Sequence, residues 1–208
     1  MEAVAVSGTI RTEVGKKATK AVRSAGEIPA ILYSKNGSVH FSTTHKAVKN
    51  LIFTPAFRVA EIDLDGKSHR AIVKDIQWHP VTDEIVHLDF LELIDGHAVK
   101  VEIPVRFEGT APGMRSGGKL LQLMRRVKVK ANPESLVDEL VADISTLELG
   151  QSVRVRDIAA IDGIEIMSTG ASPLGIIEIP RALRSAATAE AKAERMGEGT
   201  EEEAATEE

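Results

Sequence analysis

The sequence predicts a β-rich α+β protein, and three observations lead to this fold class. Apolar and polar side chains alternate with a period of two through much of the chain before residue 180, as in half-buried strands. Helical signals are confined to two short stretches. Aromatic residues make up only 3% of the chain, so Val, Ile, Leu and Ala must build the core. Many short strands with few helices favour small barrels or sandwiches.

The clearest strand runs from Val99 to Phe107, where every second residue is apolar. Pro104 within it cannot donate to a ladder, which predicts a strand near a sheet edge. The pair Asp65-Gly66 separates two further alternating runs, 57–65 and 67–78, and is a strong hairpin signal.

The run 85–90 has two distinct faces. Val86, Leu88 and Phe90 share one face, and Ile85, His87 and Asp89 share the other.

Two short helices are expected. Thr44 is suited to cap a helix over 45–53, which Pro55 would end. A second helix over 17–25 would be closed by Gly26. Its basic residues Lys17, Lys20 and Arg23 lie three apart and would line one side.

Three segments are expected: an N-terminal domain over 1–94, a C-terminal mostly-β domain over 95–180, and an acidic tail over 181–208. A turn at 94–97 divides the first two. From Ala186 to Glu208 the tail holds eight acids and two bases, with no aromatic or long aliphatic residue. Such a segment cannot bury enough apolar surface to offset its ordering entropy, so we expect it to be largely disordered.

The distribution of charge along the chain is compatible with nucleic-acid binding, although the net charge is -5. Residues 186–208 alone carry a net charge of -6, so the rest of the chain carries +1. Residues 9–36 hold six bases against two acids, and residues 114–130 hold six bases and no acid. Local basic patches, rather than global charge, attract phosphate.

No residue pattern predicts catalysis, a metal or a cofactor. Phosphate-cradling glycine loops, zinc-protease and nucleophile-elbow motifs are absent, and the six histidines lack metal-ligand spacing. His87 and Asp89 could form a hydrolytic dyad, but no nucleophile accompanies them. Exposed polar residues on a strand face, or an RNA-facing pair, are the other interpretations.

The chain has no cysteine, no secretory signal and no apolar run long enough to span a membrane, so we expect a cytoplasmic protein.

The best functional candidate is the basic segment from Arg11 to Arg23. Gly15 permits a tight turn, and lysines and a hydroxyl follow it at close spacing, as a phosphate-binding surface requires. A solvated helix face explains the same pattern equally well on composition alone.

Four blocks in order resemble the bacterial large-subunit ribosomal proteins that bind 5S rRNA, in their long, two-domain form (the Ctc or general stress protein type). They are RTEVGKKATKAVRSAGEIPAILY (11–33), DIQWHPVTDEIVHLDF (75–90), FEGTAPGMRSGGKLLQLMRRVKVKANPESL (107–136) and DISTLELGQSVRVRDI (143–158). The resemblance implies an N-terminal small β-barrel with two or three short helices, and no enzymatic activity. It implies docking on the widened minor groove of 5S rRNA.

The resemblance also implies which residues contact RNA: Arg11, Lys16, Lys17, Thr19, Lys20, Arg23, Tyr33, Gln77, His87 and Asp89. Cations would neutralise phosphates, Thr19 would donate to one, and Gln77 would address a base edge or a 2′-OH. Asp89 would accept from a guanine amino group or a 2′-OH, or orient His87. Trp78 could stack on RNA, but its alternation with Ile72 and Ile76 favours a core role.

This sequence departs from the family pattern at Ala21, where many relatives have a base, and at Tyr33-Ser34, where a Tyr-Gly pair is usual. A possible second basic surface comprises Arg115, Lys119, Arg125, Arg126, Lys128 and Lys130. It would contact RNA or a neighbouring ribosomal protein, or simply face solvent.

The expected partners are 5S rRNA, the large ribosomal subunit and neighbouring ribosomal proteins, with a monomer when free. The alternatives are a non-ribosomal RNA-binding regulator on the same fold and a hydrolase using His87 and Asp89.

Overall fold

The structure is a computed structural model that describes residues 3–35 and 37–180. Its strands are β1 (Ala3–Ile10), β2 (Glu27–Ser34), β3 (Gly37–Thr44), β4 (Val59–Leu64), β5 (Lys67–Trp78), β6 (Ile85–Glu92), β7 (Val99–Glu108), β8 (Lys119–Gln122), β9 (Arg126–Ala131), β10 (Leu140–Asp143), β11 (Ser152–Arg154), β12 (Ile164–Ile166) and β13 (Pro173–Glu178). Its helices are α1 (Lys16–Ser24), α2 (His45–Ile52), α3 (Pro112–Arg115) and a 3₁₀ turn at Val155–Asp157.

The first six strands form a closed barrel in the order β1-β3-β2-β6-β5-β4. Parallel pairing of β1 with β4 closes it, and β2 also runs parallel to β6. Alternate residues fill the interior, where the rings of Phe41 and Phe90 lie 5.8 Å apart. Helix α2 adds Val48 and Leu51 to this core. The predicted β-rich class and N-terminal barrel are confirmed.

Local sequence signals account for several connections. Thr44 caps α2, since its side chain accepts a hydrogen bond from the Ala47 N–H. Asp65 and Gly66 adopt φ values of 50° and 78° and join β4 to β5, as a two-residue hairpin turn requires. Helix α1 begins one residue earlier than predicted and is followed by Gly26 at φ 81°.

Strands β7 to β13 build two further sheets, with orders β10-β7-β9-β12 and β11-β13-β8. This confirms the mostly-β C-terminal part. Strand β7 follows the expected alternation but lies between β9 and β10, so its placement near an edge was wrong. Strand β10 has only four residues and β7 has ten, so part of β7 has no partner strand on the β10 side. A proline at such a position breaks no ladder hydrogen bond.

The described residues divide into two compact units. The first holds the barrel, β7 up to Val105, Arg126–Leu140 and Ala160–Ser168. The second holds Arg106–Arg125, Val141–Ala159 and residues 169–180. The boundary expected near residue 94 stays a prediction, and the acidic tail over 181–208 lies outside the described residues.

Candidate nucleic-acid interface

Three neighbouring barrel strands bring polar side chains onto one outer face. On β6, His87 and Asp89 alternate with the fully buried Leu88 and Phe90, so they point away from the core. Gln77 on β5 is the cross-strand partner of His87. On the other side, β2 places Ile31 beside Asp89 and the exposed Tyr33 two residues further along.

The basic N-terminal segment reaches the same face. Arg23, in the last turn of α1, donates from Nε to the Val86 carbonyl of β6 at 3.1 Å. Arg11, just after β1, donates from Nε to the Phe41 carbonyl at 3.3 Å. The structure therefore brings Arg11 and Arg23 together with the polar side of β6.

Three buried polar atoms in this cluster lack a hydrogen-bond partner within the described residues. They are Nη1 of Arg11, Nδ1 of His87 and Oδ1 of Asp89. The His87 and Asp89 atoms are 3.0 Å apart, but the contact is not directed as a hydrogen bond. Each unsatisfied buried polar group costs about 1–3 kcal/mol. Three such atoms in one cluster require an explanation, and a polar partner outside the chain would supply one.

The surroundings of His87 lower its pKa and so favour the neutral form. Burial lowers its pKa below the ordinary value of 6.5, and Arg23 and Arg11 lower it further, while Asp89 opposes them. A neutral imidazole offers one donor and one acceptor.

The α1 cations form the exposed flank of the face. No residue of this helix is buried, and no side chain caps its N-terminus after Gly15. Helical spacing puts Lys17, Lys20 and Arg23 on one side, with Lys16 starting the first turn. The Thr19 hydroxyl already donates to the Gly15 carbonyl at 2.8 Å, so the expected donation to a phosphate would require this bond to break.

Trp78 is not a core residue, contrary to the sequence-based expectation. Its side chain is 42% exposed and packs edge-on against the exposed Phe53 at 5.8 Å. The β5–β6 register shifts between Val73 and Asp75 and again between Gln77 and Trp78. These bulges interrupt the period of two, so alternation with Ile72 no longer decides the position of Trp78.

The residues of the possible second basic surface belong to both compact units. Arg126, Lys128 and Lys130 alternate along β9 and are exposed, within the first compact unit. The other three, Arg115, Lys119 and Arg125, belong to the second unit. Arg126, Lys128 and Lys130 thus share one strand face, and the wider basic surface stays a prediction.

Neither a metal site nor a membrane span emerges from the described residues. No group of three or more His, Asp or Glu side chains among them is arranged to hold a metal ion. Of the helices in this part of the chain, none has the length and apolar character of a membrane span.

Comparison with known proteins identifies close relatives over nearly the whole chain. Residues 6–90 match the Ribosomal L25p family, and residues 98–181 match the C-terminal domain of ribosomal protein TL5. The large ribosomal subunit protein bL25 of Phocaeicola vulgatus is 38% identical over 92% of this chain and all of its own length. The bL25 of Porphyromonas gingivalis is 40% identical over 90% of this chain and 98% of its own. The bL25 of Parabacteroides distasonis is 42% identical over 82% of this chain and 88% of its own length.

Proposed function

Since the chain belongs to the bL25 family of bacterial large-subunit ribosomal proteins, in its long form, we propose that its barrel docks on 5S rRNA. As a family member it is a structural protein of the large ribosomal subunit and not an enzyme. The hydrolase alternative based on His87 and Asp89 is therefore wrong, and nothing favours a regulator outside the ribosome.

The observation that carries the proposal is the cluster of unpartnered atoms on Arg11, His87 and Asp89. RNA supplies a matching partner for each of them. A 2′-OH both donates and accepts, a guanine amino group donates to a carboxylate, and a phosphate oxygen accepts from a guanidinium. Base edges and 2′-hydroxyls occur together in the wide, shallow minor groove of A-form RNA.

Some residues around this cluster bind phosphates and position the RNA, and others contact base edges or sugars. Lys16, Lys17 and Lys20 neutralise phosphates along the exposed side of α1. Gln77, opposite His87, addresses a base edge or a 2′-OH. Tyr33 offers its exposed ring to a ribose, and Thr19 contributes only if its bond to Gly15 is exchanged. The specificity for 5S rRNA then comes from the shape of the minor groove between these contacts.

The proposal also includes the oligomeric state, the location, the partners and the domains of the protein. It is monomeric when free, lies in the cytoplasm on the ribosome, and contacts neighbouring ribosomal proteins of the large subunit. Residues 1–94 form the RNA-binding domain, and 95–180 form the C-terminal domain.

A filter-binding titration with purified 5S rRNA, in the presence of transfer RNA as competitor, tests the proposal. Lys20→Glu combined with Arg23→Glu should nearly abolish specific binding, because it reverses two charges on the proposed face. The matched control is Lys46→Glu with Lys67→Glu, two exposed cations on α2 and at the start of β5. Unchanged affinity in the first variant, or equal loss in both, would refute the assignment of this face.

A further inference from the structure

A groove in the first compact unit carries a concentration of positive charge. It has a volume of about 670 Å³ and is bordered by the connection after α2, by β5, and by β7 and β9. Five cations line it: Arg58, Lys74, Lys100, Arg126 and Lys128. The only lining carboxylates are Asp75 and Glu102, although acids outnumber bases 31 to 26 in the whole chain.

Strand alternation explains why the cations accumulate on one wall. Val101 and Val127 face the buried side of the β7–β9 sheet, so Lys100, Arg126 and Lys128 face the other side. Arg126 lies opposite Pro104, which cannot neutralise it. Lys128 lies 3.7 Å from Glu102, but both side chains are more than half exposed, so water and salt weaken this pair.

Apolar side chains complete the groove. Phe57 and Met167 line it together with Pro104 and Ile52, and Met167 is 49% exposed. A cationic groove that also contains an aromatic ring is the arrangement that binds single-stranded nucleic acid, because the cations follow the backbone and bases stack on the ring.

We propose that this groove binds an unpaired segment of ribosomal RNA, separate from the 5S rRNA docked on the barrel face. Successive outward side chains on β9, such as Arg126 and Lys128, are about 6.8 Å apart, comparable to successive phosphates of an extended strand. An acidic peptide fits less well. Strand β9 pairs with β7 along its length and with β12 over residues 129–131, and the Lys128 carbonyl accepts from the Met167 N–H. Little main-chain edge is therefore left for strand addition.

Fluorescence anisotropy with a labelled oligouridine of about ten nucleotides tests this groove directly. Because the oligonucleotide could also touch the barrel face, the titration is run in wild type and in the Lys20→Glu, Arg23→Glu background. Adding Lys100→Glu and Arg126→Glu to either should raise the Kd by about tenfold and reduce the slope of log Kd against log salt by about 1.4. The neutral pair Lys100→Gln and Arg126→Gln should act in the same direction.

Two further variants separate the groove from a general effect of charge. Phe57→Ala should raise the Kd for oligouridine by about tenfold and leave the salt slope unchanged, because it removes stacking without removing a cation. Lys46→Glu with Lys67→Glu should have little effect, because neither residue lines the groove. Thermal melts check that every variant is folded.

The outcomes also separate this proposal from 5S rRNA binding by the barrel. Loss of oligouridine binding in the groove variants, with 5S rRNA affinity within about threefold of wild type, supports the groove. If the groove variants bind oligouridine as wild type does, or lose it no more than the Lys46 and Lys67 control, the groove proposal is overturned whatever the 5S rRNA result. If the wild-type protein does not bind 5S rRNA but the groove variants lose oligouridine binding, the barrel proposal is refuted and the groove proposal is supported.

Discussion

Replacing Asp89 with asparagine separates a role in RNA binding from a role in folding. The Asp89 side chain is only 20% exposed, and its Oδ1 has no hydrogen-bond partner within residues 3–35 and 37–180. A largely buried carboxylate with an oxygen that accepts no directed hydrogen bond is unfavourable in the free protein, although Nδ1 of His87 lies 3.0 Å away. Asparagine keeps the shape and one acceptor oxygen but removes this charge. We therefore expect the free energy of unfolding of Asp89→Asn to be unchanged or to rise by about 1 kcal/mol.

The effect on RNA binding should have the opposite sign. A hydrogen bond to a charged acceptor contributes about 1.5–3 kcal/mol, and one to a neutral acceptor about 0.5–1.5 kcal/mol. The difference of about 1.5 kcal/mol corresponds to roughly a tenfold weaker Kd for 5S rRNA.

Urea unfolding and filter binding on the same protein measure the two quantities. The exposed Asp95→Asn is the control, and it should alter neither. If Asp89→Asn lowers stability by more than about 1 kcal/mol, or leaves RNA affinity unchanged, Asp89 is a structural residue and the reasoning fails.

Three further predictions concern His87, Gly8 and the tail. Because the pKa of His87 is lowered in the folded protein, the unfolded chain binds more protons below its ordinary pKa of 6.5. Stability should therefore fall as pH drops through 6.5, and His87→Gln should flatten this part of the curve in urea titrations; an unchanged curve would contradict the assignment. Gly8→Ala would place a Cβ 2.6 Å from Cδ2 of Phe41 and 2.8 Å from Cδ2 of Leu64, and should cost about 1–3 kcal/mol in thermal unfolding. Gly170→Ala, with its nearest atom at 3.6 Å, should stay within about 0.5 kcal/mol, and equal effects would count against close packing as the cause. Deleting residues 186–208 should leave 5S rRNA affinity intact or slightly higher, since this acidic segment would be repelled by phosphate; a large loss would show that the tail contributes to binding.

Local features of this fold could be predicted from the sequence. The Asp65-Gly66 turn and the Thr44 cap depend on residues within a few positions of one another. The alternation of His87 and Asp89 with Leu88 and Phe90 likewise needs only the period of a strand.

Features that depend on distant pairing could not be predicted from the pattern. The two bulges of β5 exposed Trp78 where simple alternation favoured burial. The sequence also has no signal for the tight packing around Gly8, which arises only when β3 and β4 flank β1 in the closed barrel. The three unpartnered atoms are a further case, because Arg11 and His87 are 76 positions apart and meet only after the barrel forms.

Two arginines of the proposed RNA-binding face are already held in place in the free protein. Each uses its Nε to donate to a main-chain carbonyl, Arg11 to Phe41 and Arg23 to Val86. A guanidinium has five N–H donors, so the terminal nitrogens stay available to a phosphate after the first bond has fixed the group. Because the carbonyls belong to barrel strands, less side-chain entropy remains to be lost on binding. A lysine at either position has a single donor group and cannot both anchor to the barrel and present a planar pair of donors. The rigid barrel thus explains why arginine, rather than lysine, lies beside His87 and Asp89, while lysines occupy the exposed side of α1.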